Sequence, residues 1–265
     1  MKEISFEESK RIMIKILESI DKCCRENNIN YSLCWGTMIG AIRHHGFIPW
    51  DDDIDIMMPR EDYNRFLDVY NDPKYGVYSP KVNKNCIQII SKIYDKSTCV
   101  YLHNHINSLF GVWISIFPYD NAPDENIKPW EKKRTFLMNI YHLKTCKKLY
   151  RHRLKRRKIL KQVTKFLLIP FSSSWIYRRI ENCLTAFNGQ QTKNVCIWYG
   201  GTFTWFRYFP KELFDEFIDV DFEDIKVKII KGYDQYLKQT YGDYMKLPSE
   251  SERVPKHNYK AYYVE

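Results

Sequence analysis

A chain of 265 residues, 44% apolar and 16% aromatic, can bury the core of one domain or of one domain with an insertion, which excludes general disorder. Its formal charge of +10 would suit a nucleic-acid partner if it were spread out, but residues 132 to 180 hold sixteen Lys or Arg and no Asp or Glu. Without that segment the rest of the chain stands at −6, so the basicity is local.

Residues 6 to 27 place Ile12, Ile16, Ile20 and Cys23 at helical steps, and a helix ending near Asn27 and Asn28 is expected. Tyr31 to Trp35 reads as a short buried strand and Thr37 to His45 as a helix stopped by Gly46, which puts Gly36 and Thr37 at a strand-to-helix turn. Such a turn presents free backbone N–H groups and a positive helix end to a phosphate. Asp53 to Met58 is the next strand, closed by Pro59, followed by a helix over Glu61 to Tyr70 and by strands over Ile87 to Tyr94 and Gly111 to Phe117. Asn126 to Phe187 is helical and basic. Phe217 to Ile230 returns to strand, and Tyr233 to Tyr241 is a last helix ended by Gly242. The expected fold is α/β, a mixed β-sheet flanked by helices, with a core over 1–125, a basic helical insertion over 126–190, and C-terminal strands and a helix over 191–265 that complete the core.

The eight cysteines, at 23, 24, 34, 86, 99, 146, 183 and 196, have no CxxC or metal-ligand spacing, and Met1 to Glu8 lacks an apolar signal segment. Free, mostly buried thiols in a cytoplasmic protein are expected, with peripheral contact at the inner face of the membrane. The longest uncharged stretch, Ser97 to Tyr119, is interrupted by His103, Asn104, His105 and Asn107 and reads as strands and a loop, not a membrane span.

Four aspartates fall within Asp51-Asp52-Asp53-Ile54-Asp55. In a strand, side chains alternate between faces, so Asp53 and Asp55 share one face and Ile54 and Ile56 the other. Paired carboxylates suit a hard divalent cation, Mg²⁺ with Mn²⁺ as a substitute, which leaves positions for substrate phosphate and points to phosphoryl transfer. Two other readings compete: a solvated acidic loop, and an EF-hand with Asp51, Asp53, Asp55 and Asp62 at loop positions 1, 3, 5 and 12. The EF-hand fails at position 6, where Ile56 replaces the glycine needed for the turn.

The run LCWGTMIGAIRHHGFIPWDDDIDIMMPREDYNRF, with fifteen residues between Gly36-Thr37 and the aspartate pair, resembles the signature of the LicD family of the nucleotidyltransferase-fold superfamily, relatives of fukutin-type proteins. The likeness continues in GVWISIFPYD (Gly111 to Asp120) and from Tyr233 to Lys256, and is thin from about 126 to 190. The resemblance implies a transferase that moves a phospho-alcohol, most simply phosphocholine, from a CDP-activated donor such as CDP-choline to a hydroxyl of a glycan or lipid-linked glycan. Such glycans are the lipopolysaccharide, capsule or teichoic acid of a cell surface. It also implies Asp53 and Asp55 as catalytic metal ligands, Gly36 and Thr37 as the phosphate turn, and Asp51 and Asp52 as orienting bound water. Ser115 departs from the family pattern, which has a third carboxylate there; a hydroxyl is a weak Mg²⁺ ligand and a poor base at neutral pH. Either Asp120 or a water compensates, or a second metal is lost, or the protein is an inactive relative.

Arg43 reads as a phosphate contact or as an ordinary helix arginine, and Lys92 as positive charge at the site or as a solvated lysine. Tyr241, Asp243, Lys246, Arg253 and His257 either close over donor or acceptor or form a helix end and polar tail. Basic residues from Lys144 to Lys165, followed by Phe166 to Phe171 and Trp175, suit an anionic membrane surface or a helical hairpin packed on the core. RNA binding is the rival from another class, but the acidic centre argues against a nucleic-acid partner.

Overall fold

A computed structural model of the protein describes all residues except 84–85, 87, 103–104, 108–109, 146–161, 198–206, 256–258 and 265, with side chains at 102, 105–107 and 207 also left aside. Helix α1 (Phe6–Glu26) starts where the Ser5 hydroxyl accepts from the Glu8 N–H at 3.2 Å, with Glu7 and Glu8 in its positive first turn. It buries Met13, Ile16, Leu17, Ile20 and Cys24 against the sheet, while Ile12 and Cys23 flank that stripe. Helices α2 (Trp35–His44) and α3 (Arg60–Val69) follow the short strand β2 (Ser32–Leu33) and the central strand β3 (Asp55–Pro59).

The main sheet has β3 parallel to β8 (Trp113–Ala122) and antiparallel to β2. The far edge of β8 carries two strands in turn: β5 (Ser91–Asp95), itself paired with β4 (Tyr75–Tyr78), along residues 113–116, then β9 (Asn194–Ile197), paired with β10 (Arg207–Pro210), along 119–122. This exchange explains why β8 runs through Pro118, where the sequence suggested a stop. The Ser115 N–H points to β3, donating to the Ile54 carbonyl at 3.0 Å, so the nitrogen of residue 118 faces the opposite edge, in the gap between the two partners. No ladder hydrogen bond is lost there.

A second sheet joins β1 (Glu3–Ile4), β13 (Tyr259–Tyr263), β6 (Thr98–Leu102) and β7 (His105–Asn107). The expected single strand over 217–230 is a hairpin, β11 (Phe217–Phe222) and β12 (Ile225–Ile230), turned by Glu223 at φ +55°. The expected strand over 87–94 begins only at Ser91, and residue 87 lies outside the described residues.

Helices α4 (Ile127–Thr145) and α5 (Ser173–Leu184) pack through Met138, Tyr141, Ile176, Tyr177, Ile180 and Leu184, and residues 162–167 are also helical. Trp130 of α4 donates to the Cys183 carbonyl of α5 at 2.7 Å, tying the two helices together, and Tyr141 donates to the Cys86 carbonyl at 2.6 Å, fixing the pair to the core. Helix α6 (Tyr233–Tyr241) ends at Gly242, whose φ of +71° suits a residue without Cβ. Seven described cysteines are free and six of these are buried. Among the described residues no helix is long and apolar enough to cross a membrane.

Candidate active site

Register across the sheet builds the site. Asp55 on β3 pairs with Ser115 on β8, and Ser115 with Lys92 on β5, so three adjacent strands project these side chains from one face. All three are buried. Strand β3 begins at Asp55, and residues 51–54 approach it without regular structure, so alternation alone does not set where Asp51, Asp52 and Asp53 point. Ile54 and Ile56 are fully buried, and so are Met57 and Met58, so both faces of β3 are covered. The carboxylates of Asp51, Asp52 and Asp53 gather with one oxygen of each within 4.8 Å of the others. Asp53 and Asp55 act together on Lys92: burial lowers its pKa to about 7 against the pull of both carboxylates. The same two, after burial, push the Cys34 thiol up.

The turn into α2 is tied directly to this row. The Thr37 hydroxyl accepts from the Asp55 N–H at 2.9 Å, in a buried position. A Cβ on Gly36 would lie 2.8 Å from an Asp51 carboxylate oxygen, so glycine allows that carboxylate to approach the positive end of α2. Trp35, at the start of this turn, holds a left-handed φ of +51°, strained backbone of the kind that collects at functional sites.

Lys92 is not solvated. Its ammonium lies 4.2 Å from the centre of the Trp113 ring and 5.3 Å from that of Phe110, the geometry of a cation held on aromatic faces. Tyr259 packs against Trp113 with the rings tilted and their centres 5.0 Å apart, and it donates to the Asp52 carbonyl at 3.2 Å; burial, then Asp52 and Asp53, push its hydroxyl pKa up. Sequence reading missed both aromatic residues. Trp113 could have been found, since it precedes Ser115 by two and so shares its face. Tyr259 had no local signal, because its position depends on the pairing of β13 with β6.

Arg43 hydrogen-bonds the Tyr244 carbonyl at 2.6 Å and the Lys246 carbonyl at 3.2 Å, and burial lowers its pKa, so it fastens the C-terminal segment onto α2. Lys246 enters through its backbone, and its side chain and that of Asp243 are exposed. Arg253 lies over the Trp50 ring at 5.7 Å, beside the acidic turn, and donates to the Pro248 carbonyl at 3.0 Å. His257 lies outside the described residues.

Asp120 is not brought to the row. Five residues beyond Ser115 on β8, it faces the other side of the sheet roughly 17 Å along the strand. It accepts from Arg60 at 2.9 and 2.5 Å and from Asn188 at 2.6 Å. Arg60 also meets Glu181 of α5 at 3.5 Å, and Lys81 meets Glu181 at 2.8 Å, so the four charges form a closed group that keys α5 to the sheet.

The fold is a mixed sheet flanked by helices, with carboxylates at the start of a central strand beside a glycine-containing turn into a helix, and its class is that of a nucleotidyltransferase domain. Residues 28–139 match the family described as LicD/FKTN/FKRP, nucleotidyltransferase domain. The chain is 33% identical to the lipopolysaccharide cholinephosphotransferase LicD of Haemophilus influenzae, across 99% of both chains. It is also 30% identical to an uncharacterised protein of Rickettsia typhi, over 49% of this chain and 41% of that one. The chain belongs to the LicD family of phosphotransferases. The full-length match takes in residues 126–190, where the quoted motifs are thin.

Proposed function

We propose that the protein transfers a phospho-alcohol, most simply phosphocholine, from a CDP-activated donor to a hydroxyl of a cell-surface glycan precursor. The observation that carries this reading is the crowding of Asp51, Asp52 and Asp53 near the N-terminal end of α2, with Asp55 tied to that turn through Thr37 and Lys92 buried beside them. Support for the transferred group comes from the name of the Haemophilus relative.

The donor type fits a hard divalent cation: carboxylate oxygens of Asp51, Asp52 and Asp53 lie within 4.8 Å of one another, Asp51 comes close to Gly36, and Asp55 opens β3 beside them. Asp53 and Asp55 would hold Mg²⁺ or Mn²⁺, with Asp51 and Asp52 beside them, and the ion would neutralise donor phosphate and orient phosphorus for in-line displacement. The chain's own groups supply the rest. Thr37 fixes the Asp55 backbone, and therefore the angle at which its carboxylate leaves β3. The first N–H groups of α2 offer hydrogen bonds to phosphate oxygens. Lys92, held rigidly on Trp113 and Phe110, adds positive charge on the side where Ser115 adds none. The acceptor hydroxyl attacks phosphorus, the bond to CMP breaks, CMP leaves with the electron pair, and a carboxylate of the acidic turn takes the hydroxyl proton.

The test is a donor screen that reads CMP release with Mg²⁺ or Mn²⁺, alongside Asp53→Ala. Metal-dependent release from CDP-choline or a related donor, abolished by the substitution, is expected. Failure of every nucleotide-activated donor to bind or react would overturn the reading and leave an inactive relative.

A further inference from the structure

The α4–α5 lobe has a second apolar surface besides the one it buries. On α5, Ile176, Tyr177, Ile180 and Leu184 face inward, so its packing stripe is already used. Outside that stripe, Phe136, Phe166, Leu167 and Ile169 are 63–71% exposed, and Phe171 and Trp175 are exposed beside them. Of these, Phe136, Phe171 and Trp175 line an open groove of about 460 Å³ together with Leu137, Ile140 and Leu168, and Lys133 and Arg179 also line it; Phe166, Leu167 and Ile169 flank Leu168 in sequence. Such a contiguous apolar surface is unusual in water and marks an interaction site.

Charge identifies the occupant. Between residues 127 and 184 the acids are Glu131 and Glu181. Both are turned toward protein: Glu131 accepts from the Tyr208 hydroxyl at 3.0 Å, and Glu181 pairs with Arg60 and Lys81. What faces out around the apolar residues is therefore basic: Lys132, Lys133, Arg178 and Arg179 are all exposed. Arg179 lies over the Trp175 ring at 4.9 Å, a pairing of amphipathic side chains suited to a boundary between headgroups and acyl chains. A second copy of the chain would bring two basic rims together, and a nucleic acid would leave the phenylalanines, leucine and isoleucine with nothing to bury against.

We infer that this face of the lobe docks on an anionic lipid bilayer, with Phe166, Leu167, Ile169 and Trp175 entering the interface and the basic rim meeting lipid phosphates. The inference is independent of the reaction proposed above, because it concerns binding alone.

The experiment is co-sedimentation of the full chain with vesicles of phosphatidylcholine, or of phosphatidylcholine and phosphatidylglycerol in equal parts, at low and high salt. At least tenfold stronger binding to the anionic vesicles is expected, weakened by salt. Phe166→Ser with Ile169→Ser should reduce binding about tenfold at unchanged Tm, and Arg178→Glu with Arg179→Glu should remove the preference for anionic lipid. Three results would overturn the inference: protein left in solution with both vesicles at low salt, binding indifferent to both double variants, or self-association in sedimentation velocity that the apolar variant abolishes in place of vesicle binding.

Discussion

The two ends of β8 collect buried charge in opposite ways. Around Asp120 the charges balance: Arg60 and Lys81 answer Asp120 and Glu181, and Asn188 takes up a further lone pair. Around Ser115, carboxylates predominate: Asp51, Asp52 and Asp53 gather together, and Asp53 and Asp55 both act on the buried Lys92. Burying charge is costly unless it is compensated, and the side chains around Asp120 compensate one another inside the fold, whereas the cluster around Ser115 groups carboxylates of one sign, the donor type that a hard divalent cation takes. Residue type does not distinguish an aspartate that holds the fold from one that does chemistry; the partners delivered by the neighbouring strands do.

The largest effects should separate the clusters cleanly. Asp53→Asn is expected to lower CMP release by about three orders of magnitude, the scale of losing an electrostatic group that acts in the transition state, while Tm moves by no more than about 3 °C. Asp55→Asn should do the same to turnover. Asp120→Ala should reverse the pattern, because it leaves the Arg60 guanidinium buried with Glu181 as its remaining carboxylate partner. Breaking a buried pair in this way costs about 3–5 kcal/mol, read by urea unfolding, with turnover per folded molecule kept. A stable Asp120→Ala protein without turnover would break the comparison and return Asp120 to the reacting groups.

That reversal also marks what could be read from the sequence. The Gly36-Thr37 turn, the buried Ile54 and Ile56 at the start of β3 and helix α6 were legible because local spacing determines them. The cluster around Asp120 was not, since its partners Arg60 and Asn188 arrive from α3 and the residues after α5, and Glu181, which meets Arg60, from α5. Non-local pairing likewise hid β13 and thus Tyr259. The hairpin at 222–225 was read as one strand because it has no glycine or asparagine; Glu223 adopts the left-handed turn while its side chain accepts from the Phe47 N–H at 2.9 Å and its own N–H donates to the His45 carbonyl at 2.8 Å.

A middle-sized effect tests whether the acidic cluster is one carboxylate short. Ser115→Asp would place an acid between Asp55 and Lys92 in register, adding a hard oxygen donor beside a compensating ammonium. Metal binding, followed by isothermal calorimetry with Mn²⁺, should tighten about tenfold, or about 1.4 kcal/mol, and turnover should rise with it. If affinity is unchanged, the cation is held by the turn at 51–53 and the β8 position does not reach it.

The smallest expected effect sharpens the boundary of the site. Tyr259→Phe keeps the ring contact with Trp113 and removes only the hydroxyl that reaches the Asp52 carbonyl at 3.2 Å. One hydrogen bond of this kind contributes about 1 kcal/mol, so a stability loss of that size is expected if Tyr259 only braces the acidic turn. A bracing role also requires the metal-binding constant to follow, because the Asp52 backbone precedes Asp53 directly. If stability falls while metal affinity and turnover stay at the native level, Tyr259 belongs to the packing of β13 alone, and the functional cluster ends at Trp113.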